Sequence, residues 1–414
     1  MVIDSDDVIA NSIEEVRRVQ QAWEESRRSV SPSGAHAEFV AHIRRTVAFY
    51  RALDPAAELP LVSRADHQAD GDRFRSRDTS GPVHRLSSSG TTGQPLEVTL
   101  DAAAWYAVNY HFFAQIRDLA GLPDDAFRRG RPAVLFVSNK PGRPSFVRPL
   151  PSLNDGLYLR LQLPESPQAT LALLHKFRAP VLYGKPTYLL DLRAALLSQG
   201  ADQAPWRPRL LLVSGEPLHP DDRNRLTGYF GAPVVDALAS TEGGLIAATA
   251  PDETTYRVLA ENVRLEVLDD AGRTGPSGRG ELVLTNLVNR STVFARYRTG
   301  DLAELATAAD GSQRLLRLRG REPETVCFRT GKLPADDVLR AIGHLPGLAD
   351  FQFVLNDRRR TLLRWSAEAS CAEPAALAST LRRRMSDLLP GEEIELQECA
   401  RITPPGGKKR RFQL

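Results

Sequence analysis

From residue 131 to residue 236 the chain alternates short, nearly continuous apolar runs with stretches whose apolar positions recur every three or four residues. In order these are RPAVLFVS, ATLALLHKFRA, PVLYG, TYLLDLRAALLSQ, PRLLLVSG, PDDRNRLTGYFG and APVVDAL. The short runs read as buried strands and the periodic ones as amphipathic helices, so the spacing predicts βαβ units and a mainly parallel sheet. Ligands of such sheets bind beyond the carboxyl ends of the strands. That rule draws attention to YGKP, SGEP and LASTEGG, each directly after a predicted strand.

The flanks follow other periods. Residues 6–53 read as packing helices, with apolar positions three and four apart in IEEVRRVQQAWEESRR and AEFVAHIRRTVAFYRAL. The polar stretch 64–82, RADHQADGDRFRSRDTSGP, reads as a mobile loop. Over residues 257–305 strict alternation in VRLEVLDD and GELVLTN, around the turn AGRTGPSGRG, predicts a small antiparallel β-subdomain. Beyond it, helices in ADDVLRAIG and PAALASTLRRRMSDLL and strands in FQFVLN and TLLRWS make an α+β tail.

Composition narrows the class. A chain of 414 residues that is 42% apolar builds two or three packed units. No apolar run approaches the roughly 20 residues of a membrane span, and the acidic start MVIDSDDVIA is no signal peptide, so the cytoplasm is the expected compartment. A formal charge of +3, from 54 basic and 51 acidic residues, argues against nucleic acid as a partner. Cys327, Cys371 and Cys399 show no CxxC spacing, which predicts buried reduced thiols and neither a disulfide framework nor a cysteine zinc site. Two of the few lysines stand together in the terminal GGKKRRFQL, read by itself as a solvated basic tail.

Residues 87–95, SSSGTTGQP, have the composition of a flexible linker and equally of a phosphate-binding loop rich in backbone and hydroxyl donors. They lack the GK[ST] ending of a P-loop. The loop gains meaning from its companions: SSGTTGQP (88–95), SGEPL (214–218), ASTEGG (239–244), YRTGDL (297–302), LRGR (318–321) and GGKKRR (406–411) follow one another in this order. The series resembles the adenylate-forming superfamily, specifically its phenylacetate–CoA ligase and CapK-like branch, and the likeness extends to the lead-in AFYRAL…ELPLVSRAD.

That resemblance implies an α/β fold in two parts. Residues 1–321 would be the adenylation domain, with a helical lead-in (1–80), an α/β nucleotide and acid site (81–256) and the β-subdomain (257–321). Residues 322–414 would be a mobile α+β lid. Ser88, Ser89, Gly90, Thr91, Thr92 and Gly93 would hold the β- and γ-phosphates of ATP, Thr241 would contact the α-phosphate, and Ser240 would belong to the same nucleotide site. Glu242 would ligate Mg²⁺. Gly215, Glu216 and Pro217 would form a ledge beside adenine, Asp301 would accept both ribose hydroxyls, and Arg321 would contact the nucleotide. Lys408 would bridge the reacting carboxylate and the α-phosphate.

Departures from the branch's pattern carry information too. Leu238 stands where an adenine-stacking aromatic is usual, and Ala239 where a glycine is common. The residues after the TE step hold neither Cys nor His, so no zinc is expected there. Pro323 replaces the hinge aspartate and RTGKLP shortens the loop lining the thiol tunnel, which predicts a hindered thiol half-reaction. Trp105, Tyr106, Tyr110, His111, Tyr183 and Ala237 are candidate walls for an aromatic acid, although the run WYAVNYHFF reads as well as a buried helix. The resulting expectation is ATP-dependent activation of a carboxylic acid, with CoA or a carrier-protein thiol as acceptor. An amine acceptor, ATP- and nitrite-dependent diazotisation of an aryl amine, and an inactive nucleotide-binding module are the alternatives.

Overall fold

A computed structural model of the chain describes residues 2–4, 13–27, 32–79, 83–87, 95–138, 145–162, 167–251, 253–321, 325–342, 345, 347–355, 361–367, 371–400, 402 and 412–413. Strand β1 (Val2–Asp4) pairs in parallel with β2 (Val83–Ser87), which forms a hairpin with β3 (Glu97–Leu100). Between β1 and β2 lie α1 (Ile13–Arg27), α2 (Pro32–Thr46), α3 (Ala48–Arg51) and α4 (Arg64–Ala69). The stretch expected to be a mobile loop is folded from residue 64 to residue 79. Ser63 and Asp66 close a reciprocal capping box at the start of α4, and His67 and Phe74 are buried. Two well-placed core residues outweigh a polar average.

Next come α5 (Ala102–Tyr106) and α6 (Phe112–Leu119), joined without a break by a π-helical turn over Ala107–His111. Strands β4 (Pro132–Ser138), β5 (Phe146–Leu150) and β6 (Gly156–Gln162) follow. Then α7 (Pro167–Lys176), β7 (Val181–Gly184), α8 (Pro186–Leu197), β8 (Leu210–Ser214), α9 (Pro220–Phe230) and β9 (Val234–Ser240) realise the predicted alternation. The pairs β6–β4, β4–β7, β7–β8 and β8–β9 are parallel. Their alternate residues face two cores. Leu135, Val137, Leu182, Leu211 and Val213 pack under α7–α9, whereas Val134, Val181, Leu212 and Val235 pack toward α5 and α6.

The antiparallel strands are β10 (Gly244–Thr249), β11 (Tyr256–Val258), β12 (Val263–Leu268), β13 (Thr274–Gly275), β14 (Gly278–Asn286), β15 (Tyr297–Thr307) and β16 (Gln313–Arg321). They continue the parallel block as one 13-stranded sheet, in the order β13-β12-β14-β15-β16-β11-β10-β9-β8-β7-β4-β6-β5. The β-subdomain is therefore joined to the parallel strands through β9–β10 and shares their core.

The tail comprises β17 (Thr325–Cys327), β18 (Lys332–Pro334), α10 (Ala335–Ile342), β19 (Leu348–Leu355), β20 (Thr361–Ala367), α11 (Pro374–Leu388), β21 (Ile394–Glu398) and β22 (Phe412–Gln413). It has its own core around Val338, Phe353, Leu363 and Leu381. Arg225 of α9 reaches it, donating to the Leu348 carbonyl at 2.9 Å. The expectation of buried thiols is corrected: Cys327 is exposed, and Cys371 and Cys399 are half-buried. Strand alternation explains Cys327, because Val326 takes the inward position. No helix among the described residues is long and apolar enough to cross a membrane.

Candidate functional site

Registers bring the strand-end motifs side by side. Gly184 pairs with Val213 and Ser214 with Ala237, so the turns after β7 and β8 lie beside the last residues of β9. Gly215 has φ +83°, a left-handed backbone that suits glycine. Glu216 then binds across to the neighbouring turn: Lys185 Nζ donates to Oε1 at 3.0 Å and Thr187 Oγ1 to Oε2 at 2.6 Å. This ties Gly215, Glu216 and Pro217 into a fixed ledge. Ala237 is buried in the wall beneath it.

The turn after β9 is equally constrained. Ser240 Oγ accepts from Gly243 N at 2.9 Å, folding Thr241 and Glu242 into a tight step. A side chain at Gly243 would lie within 2.9 Å of Ile246 and Leu284, and Gly244 needs φ +64°. Asn286 holds the step from below, donating to the Glu242 carbonyl at 2.8 Å. The Glu242 carboxylate is buried and faces Arg64 Nη1 at 3.6 Å. Arg64 was missed in the sequence because nothing local distinguishes it from the other arginines of its polar stretch.

Among the described residues no group of three His, Cys, Asp or Glu exists to hold a metal ion. A single carboxylate nevertheless fits Mg²⁺, which binds through one or two carboxylates together with substrate phosphates and water. Glu242 is the carboxylate that would hold it. The guanidinium of Arg64 beside it supplies positive charge at the same place.

Asp301 lies on β15 opposite Arg321 of β16, so the register joins two candidate nucleotide contacts twenty residues apart in sequence. The turn ahead of Asp301 is clamped by Glu281, which accepts from Gly300 N at 3.1 Å and from Arg298 Nη2 at 2.6 Å. Ser88, Ser89, Gly90, Thr91, Thr92, Gly93 and Lys408 lie outside the described residues, as does Pro323. The residues on either side of that loop are placed, since Ser87 at the end of β2 pairs with Glu97 at the start of β3. That hairpin docks on the Asn286 turn: Asn289 Nδ2 donates to Thr99 O at 3.0 Å, and Asn289 N to Asn286 Oδ1 at 3.0 Å. One asparagine-centred network therefore connects the loop's base to Glu242.

The candidate acid walls divide. Trp105, Tyr106 and Tyr110 are almost wholly buried in the core, with Trp105 stacked on His84 at 4.6 Å between ring centres. His111 packs against Trp23, 5.2 Å between ring centres. Their burial agrees with the reading of WYAVNYHFF as a buried helix, since the helix period puts most of its aromatics against the sheet. Tyr183 is the half-buried exception. Its hydroxyl is hydrogen-bonded to Ser214, and burial pushes it up to about 12. Phe136, at 4.8 Å, continues the wall.

Burial of His67 should make the helix that carries Arg64 sensitive to acid. His67 is stacked between Phe74 and Phe294, at 4.1 and 4.5 Å, and its burial lowers its pKa from 6.5 to about 4. The unfolded chain takes up a proton near pH 6.5 and the folded one near 4, so stability held above that window is lost as pH falls through it. The difference amounts to about 3 kcal/mol. Thermal unfolding followed from pH 7 to pH 4 should show this loss, and His67→Phe should flatten the curve. An unchanged slope would place the acid sensitivity elsewhere.

The family described as AMP-binding enzyme matches residues 43–297. The phenylacetate-coenzyme A ligase of Pseudomonas putida is 25% identical over 163 residues, which are 38% of this chain and 37% of that protein's length. A solved 2-hydroxyisobutyryl-CoA ligase, in the postadenylation state with R3-HIB-AMP, superposes with TM-score 0.71 at 19% identity over 98% of this chain and 90% of that one. In its thioesterification state with CoA the same ligase gives 0.54, at 20% identity and the same coverage. An anthranilate CoA ligase with anthranoyl-AMP gives 0.51 at 14% identity, covering 79% of this chain and 65% of its own.

Proposed function

Since the chain belongs to the AMP-binding enzyme family, we propose that it is an ATP- and Mg²⁺-dependent ligase that activates a carboxylic acid as its acyl-adenylate and passes it to a thiol. Residues 1–321 serve as the adenylation domain and 322–414 as the lid. The observation that carries this reading is the meeting of the Thr241–Glu242 step with the Gly215–Pro217 ledge at the ends of adjacent parallel strands. In the reaction a carboxylate oxygen forms a bond to the α-phosphorus while the bond to the β-phosphate oxygen breaks and pyrophosphate leaves. Two anions must be held in contact, which is why donors and cations gather here.

Ser88 to Gly93 and Thr241 donate to the phosphates, Asp301 accepts from the ribose, and Lys408 spans the carboxylate and the α-phosphate. When bound at Glu242, Mg²⁺ offsets phosphate charge. Similarity to ligases named for CoA supports a CoA thiol as acceptor. The higher TM-score with the postadenylation state supports the arrangement used in the first half-reaction.

The test is acid-dependent ATP–pyrophosphate exchange across aryl and alkyl acids, followed by product analysis with CoA added. AMP and pyrophosphate are expected in stoichiometric amounts. Stoichiometric ADP, or no exchange with any acid, overturns the reading. Rapid CoA discharge of the preformed adenylate would also remove any special role for Pro323.

A further inference from the structure

Beyond β4 the sheet carries charge where a core face ordinarily carries hydrocarbon. Residues paired across a ladder share a face. Tyr183 pairs with Leu212 on one side and Phe136 on the other, Phe136 with Arg160, and Arg160 with Phe146, which makes one row across β7, β4, β6 and β5. One row deeper, Tyr158 pairs with Arg148. Arg160 lies 5.9 and 5.8 Å from the Phe136 and Phe146 ring centres. The Arg148 guanidinium is 4.8 Å from the centre of Tyr110 and 4.9 Å from that of Tyr158.

Arg148 is the unusual member. It is 8% exposed, yet among the described residues no carboxylate pairs with it. Nη1 donates to Asn109 Oδ1 at 3.2 Å and Nη2 to Asn109 O at 2.9 Å, while buried Nε has no partner. Burial pushes the Tyr110 and Tyr158 hydroxyls up, so neither ring supplies a counter-charge. The Asn109 carbonyl belongs to the π-helical turn between α5 and α6, a deviation that proteins frequently place at functional sites. A buried cation without an anion is costly. Its row adjoins that of Tyr183, the half-buried wall at the strand ends where the acid of the proposed reaction would lie.

We propose that the acid carries a second anionic group remote from its reacting carboxylate, bound by Arg148 with Arg160 above it among flanking aromatic rings. The substrate class is thus a flat aryl acid with a second acidic substituent. This rests on the acid-activating reading, and the two fail differently.

The probes are matched pairs, benzoate against terephthalate and phenylacetate against 4-carboxyphenylacetate, compared by kcat/KM in ATP–pyrophosphate exchange. The wild-type protein is expected to favour the doubly charged member at least tenfold. Arg148→Met, which keeps the apolar stem, should shrink that ratio at least tenfold, and Arg148→Lys should restore part of it. The KM for ATP and the unfolding temperature are followed in parallel. A wild-type ratio near one, or an Arg148→Met ratio equal to wild type, overturns the proposal while leaving acid activation standing. Absence of exchange with all four acids and the wider panel overturns the activation reading itself. Should Arg148→Met fail to fold, the wild-type ratio and the same comparison in Arg160→Met decide.

Discussion

Lys408→Ala lowers acyl-adenylate formation by about two orders of magnitude or more, while ATP binding stays close to wild type. The transition state gathers negative charge where a carboxylate meets a phosphate, and one preorganised cation at that point has an effect of this size. In the proposed reaction ATP alone would be held by the loop, the ledge and Asp301, so its ground-state affinity should depend little on a residue of the tail. Lys408 itself lies outside the described residues, but its surroundings in the chain are anchored. Ile402 is buried, and β22 pairs in parallel with β19, Phe412 beside Phe353. Single-turnover formation of AMP-linked product, measured beside equilibrium ATP binding, separates the two effects. Full activity in Lys408→Ala with a dead Lys409→Ala would shift the assignment by one residue.

Glu242→Gln comes second, with an expected loss of about a hundredfold in exchange rate and a higher Mg²⁺ concentration for half-maximal activity. The side chain is held by its surroundings: Asn286 binds its carbonyl, Ser240 closes the turn, and Arg64 stands 3.6 Å from its carboxylate. Glutamine keeps the shape and deletes the charge, so cation binding loses its protein carboxylate and Arg64 loses its counter-ion. Both consequences are measurable, the first as a Mg²⁺ titration and the second as a lower unfolding temperature. Wild-type rate at wild-type Mg²⁺ would reduce Glu242 to a structural partner of Arg64.

Much of this molecule was written in local pattern. The alternation from β4 to β9, the antiparallel period of β12 and β14, and the tail helices α10 and α11 were legible because periodicity is carried by neighbouring residues and reflects which face is buried. Among the described motifs, SGEPL and ASTEGG were legible for a related reason, since their glycines are demanded by the local backbone, as Gly215 and Gly244 are by their φ values. What was not legible fails in an instructive way. Strands β5 and β6 were passed over because Arg148 and Arg160 occupy inward positions and Pro149 and Pro151 break the run. A charge at an inward position erases the strand signal.

The sequence by itself determined the family, the order of elements and the turns that end at the strand edges, because these depend on contacts between residues close in the chain. The tertiary structure alone decided which distant groups meet. Arg64 came to Glu242, Asn286 and Asn289 tied the β2–β3 hairpin to the same step, Lys185 came to Glu216, and the aromatics of α5 turned into the core. Such pairings leave no local trace, since neither partner constrains the residues beside it. They exist only once strand register and helix packing have fixed where each backbone runs.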